Sequence, residues 1–91
     1  MLFADKVVLI TGTACGCGAV LAEAFAKAGA TVVGCDVDAE AGEAGAGKIR
    51  AAGDRMDFSQ VDVSREEDVK ALVARTLDTH GRLDCAINPT S

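Results

Sequence analysis

Tryptophan and tyrosine are absent from this chain of 91 residues, and three Phe are its only aromatic side chains. A core must therefore be assembled from Val, Ile, Leu and Ala, which suits buried parallel strands faced by small-residue helices. Positive charge is scarce as well: nine Lys and Arg against 14 Asp and Glu leave a net charge of −5. That balance argues against nucleic acid or an anionic membrane as partner, since both select basic surfaces. No apolar run is long enough to cross a bilayer, and Met1 to Lys6 lacks the basic-then-apolar order of a signal peptide. A cytoplasmic protein is expected. Imidazole is limited to His80, which lies apart in sequence from Cys15, Cys17, Cys35 and Cys85, and Cys-x-Cys is not the usual zinc half-site. No metal is expected. The cysteines read as small apolar fillers, with Cys15 and Cys17 the candidates for a reactive thiol because they flank a helix N-terminus. His80 stands in a last helical turn before Gly81, where it favours the helix dipole rather than catalysis.

With 49% hydrophobic residues and a positive mean hydropathy, the chain is globular, and its length allows one small domain with limited apolar burial. Its most informative stretch is Thr11-Gly12-Thr13-Ala14-Cys15-Gly16-Cys17-Gly18, between an apolar strand-like run and an alanine-rich helical run. Glycines allow a tight turn and close backbone approach, and the first N–H groups of the following helix point at an anion. Gly12, Cys15, Gly16, Cys17 and Gly18 are therefore candidates for holding a pyrophosphate. Eighteen positions after Gly18, a second apolar run ends in Asp36. A carboxylate there accepts hydrogen bonds from an adenosine ribose and repels a 2′-phosphate. No Arg or Lys stands at Thr13, Ala14, Cys35 or Val37 to neutralise such a phosphate. The expected cofactor is NAD rather than NADP, with Val37 beside the ribose.

Strand and helix patterns alternate without linker or repeat. Strands are predicted over Lys6 to Thr11, Thr31 to Asp36, Met56 to about Val61, and Leu83 to Ile87. Helices are predicted over Gly18 to Lys27, closed by Gly29, then from about Ala39 to Ala52, and from Ser64 to about Thr79. The second helix carries Gly42, Gly45 and Gly47 inside it, each costing about 0.8 to 1 kcal/mol relative to Ala. Ser64 and Glu67 have the spacing of a capping box, and Val69, Leu72, Val73 and Leu77 recur at helical spacing for packing on the sheet. Right-handed crossovers then give an α/β fold: a Rossmann-type half whose parallel sheet has strand order 3-2-1-4, with helices on both faces. Ligand is expected across the carboxyl ends of strands one and four. The edge of strand four, and the sheet face carrying only the third helix, are expected to be under-covered and to invite self-association.

The glycine pattern T-G-x-x-x-G-x-G resembles the cofactor loop of the short-chain dehydrogenase/reductase family, and the resemblance covers nearly the whole chain. It implies that Asp62 and Val63 contact adenine, Asp62 through the exocyclic amine and Val63 through its backbone or side chain. Gly81-Arg82-Leu83-Asp84 and the following strand are similar to the segment leading into the family's Asn-Asn-Ala-Gly motif. Asn88 matches its first residue, and Pro89, Thr90 and Ser91 depart from the rest. Cys15 and Cys17 replace the Ser and Ile of many members. The family's chemistry belongs to a later Ser-Tyr-x-x-x-Lys constellation, and no Tyr occurs here. The reading is a single truncated NAD-binding domain over residues 1–91, the N-terminal part of an alcohol or carbonyl oxidoreductase and inactive alone. A non-enzymatic dinucleotide- or adenosine-binding module and an inactive reading-frame remnant stay open beside it.

Overall fold

A computed structural model describes residues 2–14 and 16–88. The chain alternates β1 (Val7–Thr11), α1 (Gly16–Lys27), β2 (Thr31–Asp36), α2 (Ala39–Ala51), β3 (Arg55–Gln60), α3 (Glu66–His80) and β4 (Cys85–Ile87). All strand pairs are parallel, in the order β3-β2-β1-β4, as the alternating pattern predicts. Strand side chains alternate between faces, so β1 feeds two cores. Val8 and Ile10 join Val32, Met56, Ala22, Ala26 and Ala46 beneath α1 and α2. Val7 and Leu9 join Val33, Cys35, Val61 and Leu72 beneath α3. The helix α1 presents Gly18, Ala22 and Ala26 at four-residue spacing, which lets its axis lie close to the sheet. Its C-terminus closes as expected, with the Gly29 N–H donating to Ala26 and the Ala30 N–H to Phe25.

Despite three internal glycines, α2 is continuous. The Asp38 side chain caps it by accepting from the Ala41 N–H at 3.1 Å, which satisfies an otherwise orphaned donor. Gly42 has a packing reason, since a Cβ there would stand 2.1 Å from the Phe58 ring of β3. Helix α3 departs from expectation at its start. Arg65 occupies the N-cap without a side-chain bond, so the Ser64–Glu67 box does not form. With Arg65 rather than Ser64 at the N-cap, the Ser64 hydroxyl turns back and donates to Asp62 Oδ1 at 2.6 Å, a charge-assisted bond. The buried face of α3 is also rotated: Leu77 is 48% exposed, and Leu72 and Thr76 are buried. Thr76 tolerates this because its hydroxyl donates to the Leu72 carbonyl at 2.8 Å.

Two further differences concern β4. It is shorter than the run Leu83 to Ile87, because the Asp84 carboxylate takes the Val7 N–H at 2.7 Å where a ladder carbonyl would. The face under α3 is better covered than expected, with Val7, Leu9 and Val33 each 4% exposed. The covering thins at the two edges, at β4 where Cys85 and Ala86 are exposed and at β3 where Arg55, Asp57 and Gln60 are.

Candidate functional site

Parallel strands bring the carboxyl ends of β1, β2, β3 and β4 to one edge, and the residues after each strand converge there. The loop after β1 is pinned to β2 by the Gly12 and Thr13 N–H groups, both donating to the Cys35 carbonyl at 2.8 and 3.2 Å. Gly12 and Gly16 have φ of 69° and 64°, in the left-handed region. Gly18, in the first turn of α1, is seated against Gly12: a Cβ at Gly18 would lie 2.0 Å from the Gly12 oxygen. The space beyond Gly16 is open, and the first turn of α1 carries no acidic residue. A helix start of this kind leaves backbone donors and a positive dipole end for an anion. Cys17 is an exposed thiol in that turn. Cys15 lies outside the described residues, as do Pro89, Thr90 and Ser91.

Asp36 joins three segments. Its Oδ2 accepts from the Ala14 N–H at 3.1 Å, its Oδ1 from the Asp38 N–H at 3.0 Å, and its carbonyl from the Val61 N–H at 3.0 Å. The expected ribose ligand is thus also a clamp on the glycine loop. Val37, 59% exposed, follows it, and its carbonyl is held by the Gln60 side-chain amide at 3.0 Å. Beyond β3, Asp62 Oδ1 accepts from both the Ser64 N–H at 3.0 Å and the Ser64 hydroxyl at 2.6 Å. These hydrogen bonds hold the Asp62 carboxyl below its ordinary value. Val63 is 42% exposed beside it. At the end of β4, the Asn88 side-chain oxygen accepts from the Thr11 hydroxyl at 3.0 Å, which ties β4 to the start of the glycine loop.

The structure therefore gathers Gly12, Gly16, Cys17, Gly18, Asp36, Val37, Asp62, Val63 and Asn88 at one sheet edge. It adds Thr11, Gln60 and Ser64 as their supports. The Asp-x-Ser spacing of Asp62 and Ser64 was a usable signal, since short polar side chains two residues apart bond locally. Gln60 carried none. His80 sits away from this edge, at the end of α3, with its Nε2 2.8 Å from Asp57 Oδ2. Cys35 is fully buried, and burial pushes its thiol up, so it is unreactive. Among the described residues no three His, Cys, Asp or Glu side chains gather as metal ligands. No helix among them is long and apolar enough to cross a membrane. A cleft of about 480 Å³ runs between α1 and α2 past Ala22, Gly45 and Ile49, and only touches the loop at Thr13 and Ala14. Thr13 is 3% exposed, and its hydroxyl has no partner among the described residues.

Comparison with known proteins bears on what this edge does. The sequence model of short chain dehydrogenase matches residues 6–91. An L-fucose dehydrogenase of Oryctolagus cuniculus is 48% identical over 86 residues, which cover 94% of this chain and 29% of that protein. A 3beta-hydroxysteroid dehydrogenase of Mediterraneibacter gnavus is 40% identical over 86 residues, covering 94% of this chain and 31% of its own. Among solved structures, the citronellol catabolism dehydrogenase of Pseudomonas aeruginosa PAO1 superposes with a TM-score of 0.92 at 34% identity, over 96% of this chain and 36% of that one. A metagenomic short-chain oxidoreductase in complex with NADP gives 0.90 at 30% identity, over 94% and 39%. The chain spans about a third of the length of these relatives.

Proposed function

Because this chain belongs to the short chain dehydrogenase family, whose members bind nicotinamide dinucleotides, we propose that it is the N-terminal NAD(H)-binding portion of an oxidoreductase acting on an alcohol or carbonyl. The observation that carries the choice of NAD is Asp36. Its carboxylate ends β2 and is locked to the glycine loop through the Ala14 N–H, and no Lys or Arg stands at Thr13, Ala14, Cys35 or Val37. A 2′-phosphate would meet that charge unneutralised. A solved relative holds NADP, so this preference is particular to the residues here.

The residues present suit the dinucleotide. The open space beyond Gly16, the close seat of Gly18 and the acid-free helix start leave room and donors for a pyrophosphate at Gly12, Gly16, Cys17 and Gly18. Asp36 would take the ribose hydroxyls, with Val37 beside them. Asp62 and Val63 would take adenine, and Asn88 would border the path toward the nicotinamide. Bound NAD supplies the hydride acceptor. The 91 residues contain no Tyr, so they offer no Ser-Tyr-x-x-x-Lys proton donor, and the chain by itself binds without turning over. A non-enzymatic adenosine-binding role is the second reading, favoured by the number of proposed contacts, Asp36, Val37, Asp62 and Val63, that fall at the adenosine end. The exposed residues of β4 favour self-association at that edge, which sedimentation of the purified chain tests.

Isothermal titration of the folded chain with NAD, NADP and ADP tests the proposal. NAD and ADP should bind with similar affinity and NADP more weakly, and Asp36→Ala should weaken ADP and narrow the NAD preference. A chain that is folded by circular dichroism and binds none of the three overturns it.

A further inference from the structure

Ser64 is the one polar side chain at the carboxyl edge whose sequence-assigned task, capping α3, is not the task it performs. Helix α3 starts at Glu66 with Arg65 in the N-cap position and no side-chain cap. The Ser64 hydroxyl instead joins its own N–H on a single oxygen of Asp62, at 2.6 and 3.0 Å. Asp62 Oδ2 accepts no hydrogen bond from the described residues. The carboxylate is thus held by one oxygen, with the other left as an acceptor. It also has a fixed neighbour: the Val61 N–H donates to the Asp36 carbonyl, and the Arg65 N–H to the Asp62 carbonyl, at 3.0 Å each. These bonds set the segment after β3 beside the end of β2, and on the cofactor reading a ribose at Asp36 directs its base to Asp62.

We infer that Ser64 is a positioning residue for base selection: by occupying Asp62 Oδ1 it presents Oδ2 to the exocyclic amine of a 6-aminopurine, and so makes the pocket reject 6-oxopurine nucleotides. The inference rests on the nucleotide-binding reading above. The chemistry has a definite sign. An amine at position 6 donates to a carboxylate, whereas a 6-oxo group sets one acceptor against another. The two Ser64 bonds also lower the Asp62 carboxyl. Because Ser64 is exposed and does not cap α3, removing its hydroxyl leaves the fold intact and acts on Asp62 alone.

The test is titration of the full chain with ADP and with inosine 5′-diphosphate, alongside melting curves. Wild type should prefer ADP by about tenfold, the value of one hydrogen bond to a charged acceptor. Ser64→Ala should cut that ratio to roughly threefold by weakening ADP with the inosine nucleotide unchanged, as half-restrained acceptors discriminate less. Ser64→Thr, which keeps the hydroxyl, should restore it. Asp62→Asn, whose amide donates to a 6-oxo group, should bring the ratio to about one or below. An unchanged ratio in Ser64→Ala, or equal losses of both nucleotides, overturns the inference. Should Ser64→Ala fail to fold, an unchanged ratio in Asp62→Asn overturns it equally. Wild type binding both nucleotides alike would sink the inference and leave the cofactor reading standing, whereas a folded wild type binding neither removes both.

Discussion

Gly18→Ala tests how the glycine loop and α1 hold each other. The added Cβ would lie 2.0 Å from the Gly12 oxygen, 2.6 Å from the Gly12 carbonyl carbon and 3.1 Å from the Thr11 oxygen. All three are backbone atoms, and the loop cannot give way freely, because the Gly12 and Thr13 N–H groups both anchor on the Cys35 carbonyl. Relief of more than 1 Å is needed to reach the 3.4 Å of ordinary contact. Overpacking of this kind costs about 1–3 kcal/mol, with a backbone obstacle at the upper end. Alanine's better helix propensity returns about 1 kcal/mol. The net loss is roughly 2 kcal/mol, and at 4–8 °C per kcal/mol for a domain of this size, Tm should fall by about 10 °C. Gly45→Ala is the control with the opposite sign. Its Cβ meets nothing within 4 Å, so propensity alone acts and Tm should rise by about 4–8 °C. Thermal melts followed at 222 nm, with urea titrations alongside, measure both. A Gly18→Ala protein that melts at or above wild type would refute the close seating of α1 on the loop. A drop in Gly45→Ala would refute the open space beside α2.

Three other outcomes are expected. Thr13→Val keeps the shape and removes a buried hydroxyl that has no partner among the described residues, so stability should rise by about 1 kcal/mol in urea unfolding. A loss would mean that the hydroxyl is satisfied by water. Asp84 is held below its ordinary 3.8 first by Arg82 and then by the Val7 N–H, and Asp62 is held down by Ser64. A lowered carboxyl contributes stability that is complete above its unfolded value and lost as pH falls through its folded value. Tm should therefore hold from neutrality down to about that range and decline below it, and Asp84→Asn should flatten the acid decline; an unchanged slope would argue against these bonds. Asp36→Ala also removes the clamp on Ala14, so amide exchange at Ala14 should speed up, and unchanged protection would show that the loop does not depend on it.

Local pattern alone settled the alternation of elements and the position of the glycine turn. The β1 run Val7-Val8-Leu9-Ile10 and the β2 run Thr31-Val32-Val33 are β-branched and apolar on both faces, which is legible only as buried parallel strand. Gly29 after Lys27 marked the end of α1 by the conformation that a helix stop requires. The strand order was legible because right-handed crossovers leave few arrangements, among which the glycine turn after β1 pointed to a Rossmann-type half. Resemblance in Thr11 to Gly18, in Asp36 and in Asp62-Val63 then pointed to the family.

Other features depended on partners distant in sequence or on competition between nearby ones. Gly42 reads as a helix breaker until Phe58, sixteen residues on, is found beneath it. Ser64 fits a capping box until the helix is seen to start one residue later, with Arg65 at the N-cap and the Ser64 hydroxyl donating to Asp62. Leu77 has the spacing of a core residue and lies outward, because α3 docks through Leu72 and Thr76. The proposal of Asp36 as a ribose ligand could be made from its place after a strand, but its hold on the Ala14 N–H, 22 residues away, exists only once β1 and β2 are paired in register. Periodicity and turn chemistry are properties of neighbours along the chain, so the sequence by itself determined the elements and their order. Which side chain wins a shared donor, acceptor or patch of core is decided between segments that meet only in the folded sheet, and there tertiary structure alone had the answer.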